Sequence, residues 1–344
     1  MSSPCPVATP LTVPMAAPLA AAARVCRGLV AGVASLFDAA RDGQPLPMST
    51  ADHAVHALLA CLRADAGALT SLLRLKAHDD DGCLHAMAVC ALMGGLARRM
   101  RMGPMAQRQA ALAGLLHDIG KALVPAEVLD KPGRLTREEY ATVRLHPGYG
   151  TQVLQGTGGI DDAVMDAVRH HHERPDGHGY PDQLAGDQLS LYARMLAVCD
   201  VYDAITSNRP YKDGWEPAGA LRRMDEWARA GQFDPAVLAA FRGMVGTYPV
   251  GSLVRLRSER LAVVSAHRTG RPELPSVTVF YCARSHRSLP PELADLQDPD
   301  AADEIVDLEL NSVWRFSDLE SLWAGPWARG HTPQPKENRP WRSP

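Results

Sequence analysis

Five positions along this chain carry histidine or aspartate in an order that limits the fold before anything else does. They are His85, the His117-Asp118 pair, His146, the His171-His172 pair and Asp200, with successive gaps of 32, 29, 25 and 28 residues. A helix of average length with its loop takes roughly half that distance. Each gap therefore reads as one helix out and one back, which returns every candidate to the same end of a helical bundle. Bundles build metal sites this way, from side chains on facing helices. The periodicity agrees: His85 shares a stripe with Val89, Leu92 and Leu96, His171 follows Val164 and Val168, and Asp200 follows Leu196 with Asp203 on the next turn. Polar groups aimed into an apolar core cost about 2–7 kcal/mol each when nothing satisfies them. A metal cluster would satisfy all five places together. Histidine and aspartate without cysteine suit Fe, Mn, Zn or Ni, and a carboxylate such as Asp118 can bridge two ions. Two ions about 3.5–4 Å apart can activate a water and clamp both oxygens of a phosphoryl transfer.

Around these positions the pattern predicts a mainly α fold with a helical bundle core and a small β-rich C-terminal appendage. Residues 1–21 read as a flexible Pro/Ala arm and 22–76 as an N-terminal helical region, its helices apolar enough to pack on the core or on a second copy in a homodimer. Residues 77–247 form the site-bearing domain. Thr136-Arg137-Glu138-Glu139 is a capping box that starts a helix, and His146-Pro147-Gly148 ends it and opens the next. From Tyr248 the character changes: Leu253–Arg257, Leu261–Ser265, Val277–Tyr281 and Glu304–Leu310 read as strands within a β-rich unit over 248–322. Residues 323–344, rich in Pro, Arg and Lys, read as a disordered tail.

Net charge is −3, without the basic excess of a general DNA or RNA binder. The seven cysteines are scattered and never spaced as CxxC, which fits reduced thiols in a cytoplasm. Residues 1–23 carry no charge, lack a basic n-region and are interrupted by five prolines, so no membrane span is expected there.

The residues also resemble a known family. His117-Asp118-Ile119-Gly120-Lys121 resembles the signature of HD-domain phosphohydrolases. The run from His171 to Pro181 resembles the HHExxDGxGYP motif of the HD-GYP subgroup, His146-Pro147-Gly148-Tyr149-Gly150 its HPxxG motif, and the run from Asp200 to Lys212 its last block. The resemblance covers about residues 78–245. It implies an all-α catalytic domain, a cluster of divalent ions (iron or manganese), and hydrolysis of cyclic di-GMP to pGpG or GMP by attack of a metal-bridging hydroxide. Carried over by position, it makes His85, His117, Asp118, His146, His171, His172 and Asp200 the metal ligands, with Asp118 bridging and catalytic. Lys121 faces the scissile phosphate, Arg209 and Lys212 hold phosphate oxygens, and Gly179 and Tyr180 form a loop at the mouth. Glu173 and Asp203 stand behind the ligands, Glu173 orienting a ligand imidazole. Three-metal members carry Glu four residues before the first histidine; Asp81 stands there, one methylene shorter and beside Gly82, which favours two ions over three and leaves Asp81 as the candidate ligand of a third. His170 and His178 read as neighbours, not ligands. His53, His56, His78, His267, His286 and His331 match nothing. Two alternatives remain: a phosphohydrolase of another cyclic dinucleotide or nucleotide, and a non-catalytic module docking diguanylate cyclase (GGDEF) domains through the GYP loop.

Overall fold

The computed structural model describes residues 16–75, 81–131, 133–207, 214–267, 273–298 and 303–330. Arg209 and Lys212 lie outside the described residues, as does the Asp81 side chain. Helices α1 (Ala16–Arg41), α2 (Met48–Ala64) and α3 (Ala66–Arg74) make an N-terminal layer. It covers α4 (Asp81–Arg99) and α5 (Pro104–Leu116), the central pair. α4 is apolar nearly all round, and Ala86 to Ala97 is buried throughout. Such a helix needs neighbours on every side, which α2, α3, α5, α10 and α12 supply.

Four shorter helices follow: α6 (Ala126–Leu129), α7 (Arg137–Val143), α8 (His146–Thr157) and α9 (Asp162–His170). The Thr136–Glu139 capping box is formed in both directions, and Pro147 sits in the first turn of α8. The helical part ends with α10 (Leu191–Thr206), α11 (Pro217–Arg229) and α12 (Pro235–Val245).

Five antiparallel strands follow: β1 (Leu253–Leu256), β2 (Arg260–Ala266), β3 (Ser276–Cys282), β4 (Arg287–Asp295) and β5 (Ile305–Leu308), in the order β4-β3-β2-β1-β5. β4 was not among the expected strands, because Pro290 and Pro291 argue against one. It lies on the sheet edge, where proline's missing N–H leaves no ladder bond unmade. One sheet face, through Leu253, Leu261 and Val263, shares a core with Leu19, Ala68, Trp323 and Ala324. The β segment is thus seated on the N-terminal helices.

Both chain ends are ordered further than the sequence suggested. The arm expected over 1–21 gives way at Ala16 to α1: Pro18 occupies the first turn, where its missing N–H costs no bond, and Leu19 is fully buried. At its full 26 residues α1 is long and apolar enough to cross a membrane, yet Leu19, Val33 and Leu36 are buried in the protein. Residues 323–330, expected in a disordered tail, are ordered instead, because Trp323, Ala324 and Ala328 fill the core beneath the sheet; the rest of that expected tail lies outside the described residues.

Candidate metal centre

Two of the gaps are a helix out and a helix back, α4 with α5 and α8 with α9; the other two are not, since a 3-10 turn and two short helices lead from His117 to His146, and a long loop leads from His172 into α10. His85 lies in the first turns of α4, His117 and Asp118 follow α5, His146 opens α8, His171 and His172 follow α9, and Asp200 lies on α10. His85 Nε2 is 3.2 Å from His117 Nε2 and 3.0 Å from Asp200 Oδ1. His146 Nε2 is 3.2 Å from His171 Nε2. Asp118 stands between the two pairs: Oδ2 is 3.3 Å from His117 Nε2 and 3.6 Å from His85 Nε2, while Oδ1 is 3.3 Å from His146 Nε2 and 3.9 Å from His171 Nε2. His172 joins His146 and His171 in one triad of possible ligand atoms.

These residues fit divalent cations. Four of the rings engage Nδ1 elsewhere: His117 with the Gly114 carbonyl at 2.9 Å, His146 with Val143 at 2.8 Å, His171 with Val168 at 2.8 Å, and His85 with Asp203 Oδ2 at 2.7 Å. At His146 and His171 a proton on each Nδ1 leaves two Nε2 lone pairs aimed at each other across 3.2 Å, an arrangement that is repulsive unless a cation lies between them. Asp118 Oδ1 is buried with no hydrogen-bond partner. Asp203, one turn beyond Asp200 on α10, holds the His85 ring through its Nδ1.

The electrostatics are those of a cluster built for positive charge. Burial pushes His146 down to about 4 and His172 down to about 3, and holds His171 well below the ordinary histidine value. Burial also opposes charge on His117, but Asp118 and Asp200 overcome it and raise that ring to about 10. Against the same burial, His117 and Lys121 hold Asp118 well below the carboxylate range, and His117 and His85 do so for Asp200. The depressed histidines bind a proton more readily in the unfolded chain. Their contribution to stability is present above about 6.5, the ordinary value, and is lost as pH falls toward 4. Chelator-treated protein should accordingly show a falling urea midpoint over that window; a flat profile would mean that these imidazoles are not held neutral.

The first turn after the His117-Asp118 pair is a 3-10 segment, Ile119–Leu123, that lies against α8. A Cβ on Gly120 would stand 2.0 Å from the His146 carbonyl oxygen and 2.3 Å from Gly150 N. Glycine at 120 thus lets two ligand-bearing segments touch. Lys121 reaches back so that its Nζ lies 2.5 Å from Asp118 Oδ2, with about a third of the side chain exposed at 36%.

The loop after His172 differs in part from expectation. Tyr180 stacks on His172 with ring centroids 4.7 Å apart. Gly179 does not open toward a ligand: it is buried, and a Cβ there would lie 2.4 Å from Glu173 Cα, so its role is to let the loop close on its own backbone. Glu173 does not orient an imidazole either. Its Oε1 accepts from the Asp182 backbone N at 2.6 Å where the chain turns back across it, and its Oε2 is buried with no hydrogen-bond partner. Asp182 is also gripped by Arg169 through two bonds of 2.7 and 2.9 Å and by His170 Nε2 at 3.0 Å. His170 is thereby a loop anchor, and His178 is exposed near Asp176. Sequence reasoning missed Arg144, whose guanidinium lies 4.3 Å over the Tyr180 ring. Its one signal is its position two residues before His146.

Comparison with known proteins places this geometry. The HD domain family matches residues 67–237. A cyclic di-GMP phosphodiesterase of Pseudomonas aeruginosa is 48% identical over 305 residues, covering 88% of this chain and 73% of that protein. A cyclic di-GMP phosphodiesterase response regulator of Xanthomonas campestris pv. campestris is 39% identical over 180 residues, covering 51% of this chain and 47% of that one. Among solved structures, a HDG"Y"P protein from Bdellovibrio bacteriovorus superposes with a TM-score of 0.52 at 18% identity, over 64% of this chain and 70% of that chain; the likeness is one of fold.

Proposed function

Because the chain belongs to the HD-GYP family of HD-domain cyclic di-GMP phosphodiesterases, we propose that it is a metal-dependent phosphodiesterase that hydrolyses cyclic di-GMP, with pGpG or GMP as end product. The observation that carries this reading is the position of Asp118, one buried carboxylate with an oxygen turned to each of two imidazole pairs. On this reading His85, His117 and Asp200 would hold one divalent ion and His146, His171 and His172 a second, with Asp118 serving both. Iron or manganese suits the donors. When bound, such ions lower the pKa of a water and offset charge on phosphoryl oxygens.

The chain's own residues do the rest. Asp203 fixes the His85 ring, and three backbone carbonyls fix His117, His146 and His171, so the donors need not reorganise. Lys121, anchored on Asp118 and partly exposed, can turn its ammonium to the phosphate where negative charge develops. Tyr180, stacked between His172 and Arg144, gives the mouth an aromatic wall. Arg209 and Lys212 extend the same logic as phosphate holders.

The test is turnover of cyclic di-GMP by protein purified anaerobically with iron or manganese, followed by product chromatography. Metal-dependent appearance of pGpG or GMP is expected. No turnover by metal-loaded protein would turn attention to other cyclic dinucleotides and then to GGDEF docking. Lys121→Ala should keep the metal content and lower kcat by about 10²–10³-fold; loss of metal instead would reassign Lys121 to the cluster. Asp182→Ala should release the Tyr180 loop and lower kcat/KM by about tenfold, the worth of one charge-assisted bond, again with metal content unchanged. Wild-type kinetics in that variant would show that the anchor is idle.

A further inference from the structure

A second cleft, of about 700 Å³, lies between the end of α2, α3, the C-terminal half of α4, the end of α10, the end of α12 and the segments flanking β1 and β2. Arg63, Arg74, Arg98, Arg99, Arg101 and His267 all line it. Of the acidic groups that share it, Asp65 is occupied in capping the Ala68 amide, and Asp203 in holding His85 and Ser207. Among the described residues Arg63, Arg98, Arg99 and Arg101 form no ion pair, whereas Arg108, Arg169, Arg194, Arg242 and Arg255 each close on a carboxylate.

A purely structural explanation goes part of the way. Arg63, Arg74, Arg98 and Arg99 lie in the last turns of α2, α3 and α4, where a cation is favourable by about 0.3–1 kcal/mol. That accounts for each arginine singly. It does not account for three helices discharging their terminal arginines into one hollow, where like charges repel and low-dielectric walls concentrate the field. Two of the guanidiniums are also held in place. Arg99 lies on the α12 backbone, so that a Cβ on Gly243 would be 2.6 Å from its Nη2, and Arg74 stacks 5.3 Å over the Trp323 ring. Fixed planar forks facing an open hollow are how proteins take phosphate groups.

We propose that this cleft is a second ligand site, distinct from the metal centre, that binds a nucleoside triphosphate through its phosphates. The volume admits a nucleotide, the arginines balance a triphosphate, and the hollow bridges the catalytic helices and the sheet. The assignment rests on the cleft and is independent of the activity proposed above.

Binding of GTP, with inorganic tripolyphosphate as the phosphate-only arm, is measured by calorimetry on the full chain. The proteins compared are the wild type, Arg98→Ala/Arg101→Ala, Arg98→Lys/Arg101→Lys and His117→Ala/Asp118→Ala. Both arginines are exposed, so the double variant should fold with an unchanged melting temperature and turn over cyclic di-GMP as the wild type does. GTP should bind the wild type and the His117/Asp118 variant alike, weaken by about tenfold or more in the alanine pair, and recover in part in the lysine pair. GTP binding that disappears with His117 and Asp118 but survives the arginine changes would place the ligand at the metal centre and overturn the proposal. Absence of binding to the wild type would overturn it as well. Tripolyphosphate binding as tightly as GTP would remove the nucleotide and leave an anion site. None of these readings depends on whether cyclic di-GMP is turned over.

Discussion

Alanine at both His117 and Asp118 is expected to abolish turnover of cyclic di-GMP, to below about a thousandth of the wild-type rate, since losing even one preorganised electrostatic group costs about 10²–10³-fold. The size of the effect follows from where Asp118 sits. Its Oδ2 faces His85 and His117, and its Oδ1 faces His146 and His171, so one truncation removes a donor from both halves of the cluster. The remaining rings would face one another with Nε2 atoms 3.2 Å apart at His146 and His171 and no carboxylate between them. Metal content should fall with activity, and metal analysis beside product chromatography reads both. Retained turnover with wild-type metal content would remove Asp118 from the mechanism. Loss of turnover with full metal content would leave it catalytic but not a ligand.

Half of this cluster is legible in sequence from helix lengths, through the α4–α5 and α8–α9 pairs; the connections from His117 to His146 and from His172 to α10 are not. Candidates spaced by a helix out and a helix back return to one end, and the stripe of His85, Val89, Leu92 and Leu96 lies inward as its period requires. Asp203 was readable for the same reason, one turn beyond Asp200 on α10. What was not readable depends on loops, whose path no period fixes. Glu173 and Gly179 stand in a motif that invites ligand or substrate roles, yet the chain folds back between them, Glu173 Oε1 taking the Asp182 amide and Gly179 lying against the Glu173 backbone. Arg144 reaches Tyr180 only because α7 and the 173–182 loop converge, a contact across 36 positions with no local signature. β4 was hidden by Pro290 and Pro291, since whether a proline breaks a strand depends on whether the strand lies at the edge. The ordering of Trp323 depended in the same way on a partner surface, the sheet face, that composition cannot reveal.

Gly120→Ala should be the most damaging added methyl among the described glycines, since its Cβ would make the shortest contact of any of them. Glycine at 120 is needed for space, not for an unusual backbone angle: the added Cβ would fall 2.0 Å from the His146 carbonyl oxygen, 2.3 Å from Gly150 N and 3.0 Å from Gly150 Cα. Those are backbone atoms of the first turn of α8, so no side chain can swing aside. Either the 3-10 turn carrying Lys121 moves off α8, or α8 moves and takes His146 with it. Overpacking of this kind costs about 1–3 kcal/mol or more. The functional cost is larger, because a shift of about 1 Å in a catalytic group can lower the rate by about 10²-fold, and here the shift separates Asp118 Oδ1 from His146 Nε2, now 3.3 Å apart. Gly148 supplies the control within the same motif. It lies inside α8 with nothing within 4 Å of its would-be Cβ, so Gly148→Ala should be neutral or stabilising by up to about 1 kcal/mol as a better helix former. Melting temperature, metal content and turnover measured on both variants decide the matter. Equal tolerance of the two substitutions would mean that the turn and α8 are not held together in solution as closely as Gly120 requires. A selective loss at Gly120 would identify this glycine as the spacer that lets two of the ligand-bearing segments share one centre.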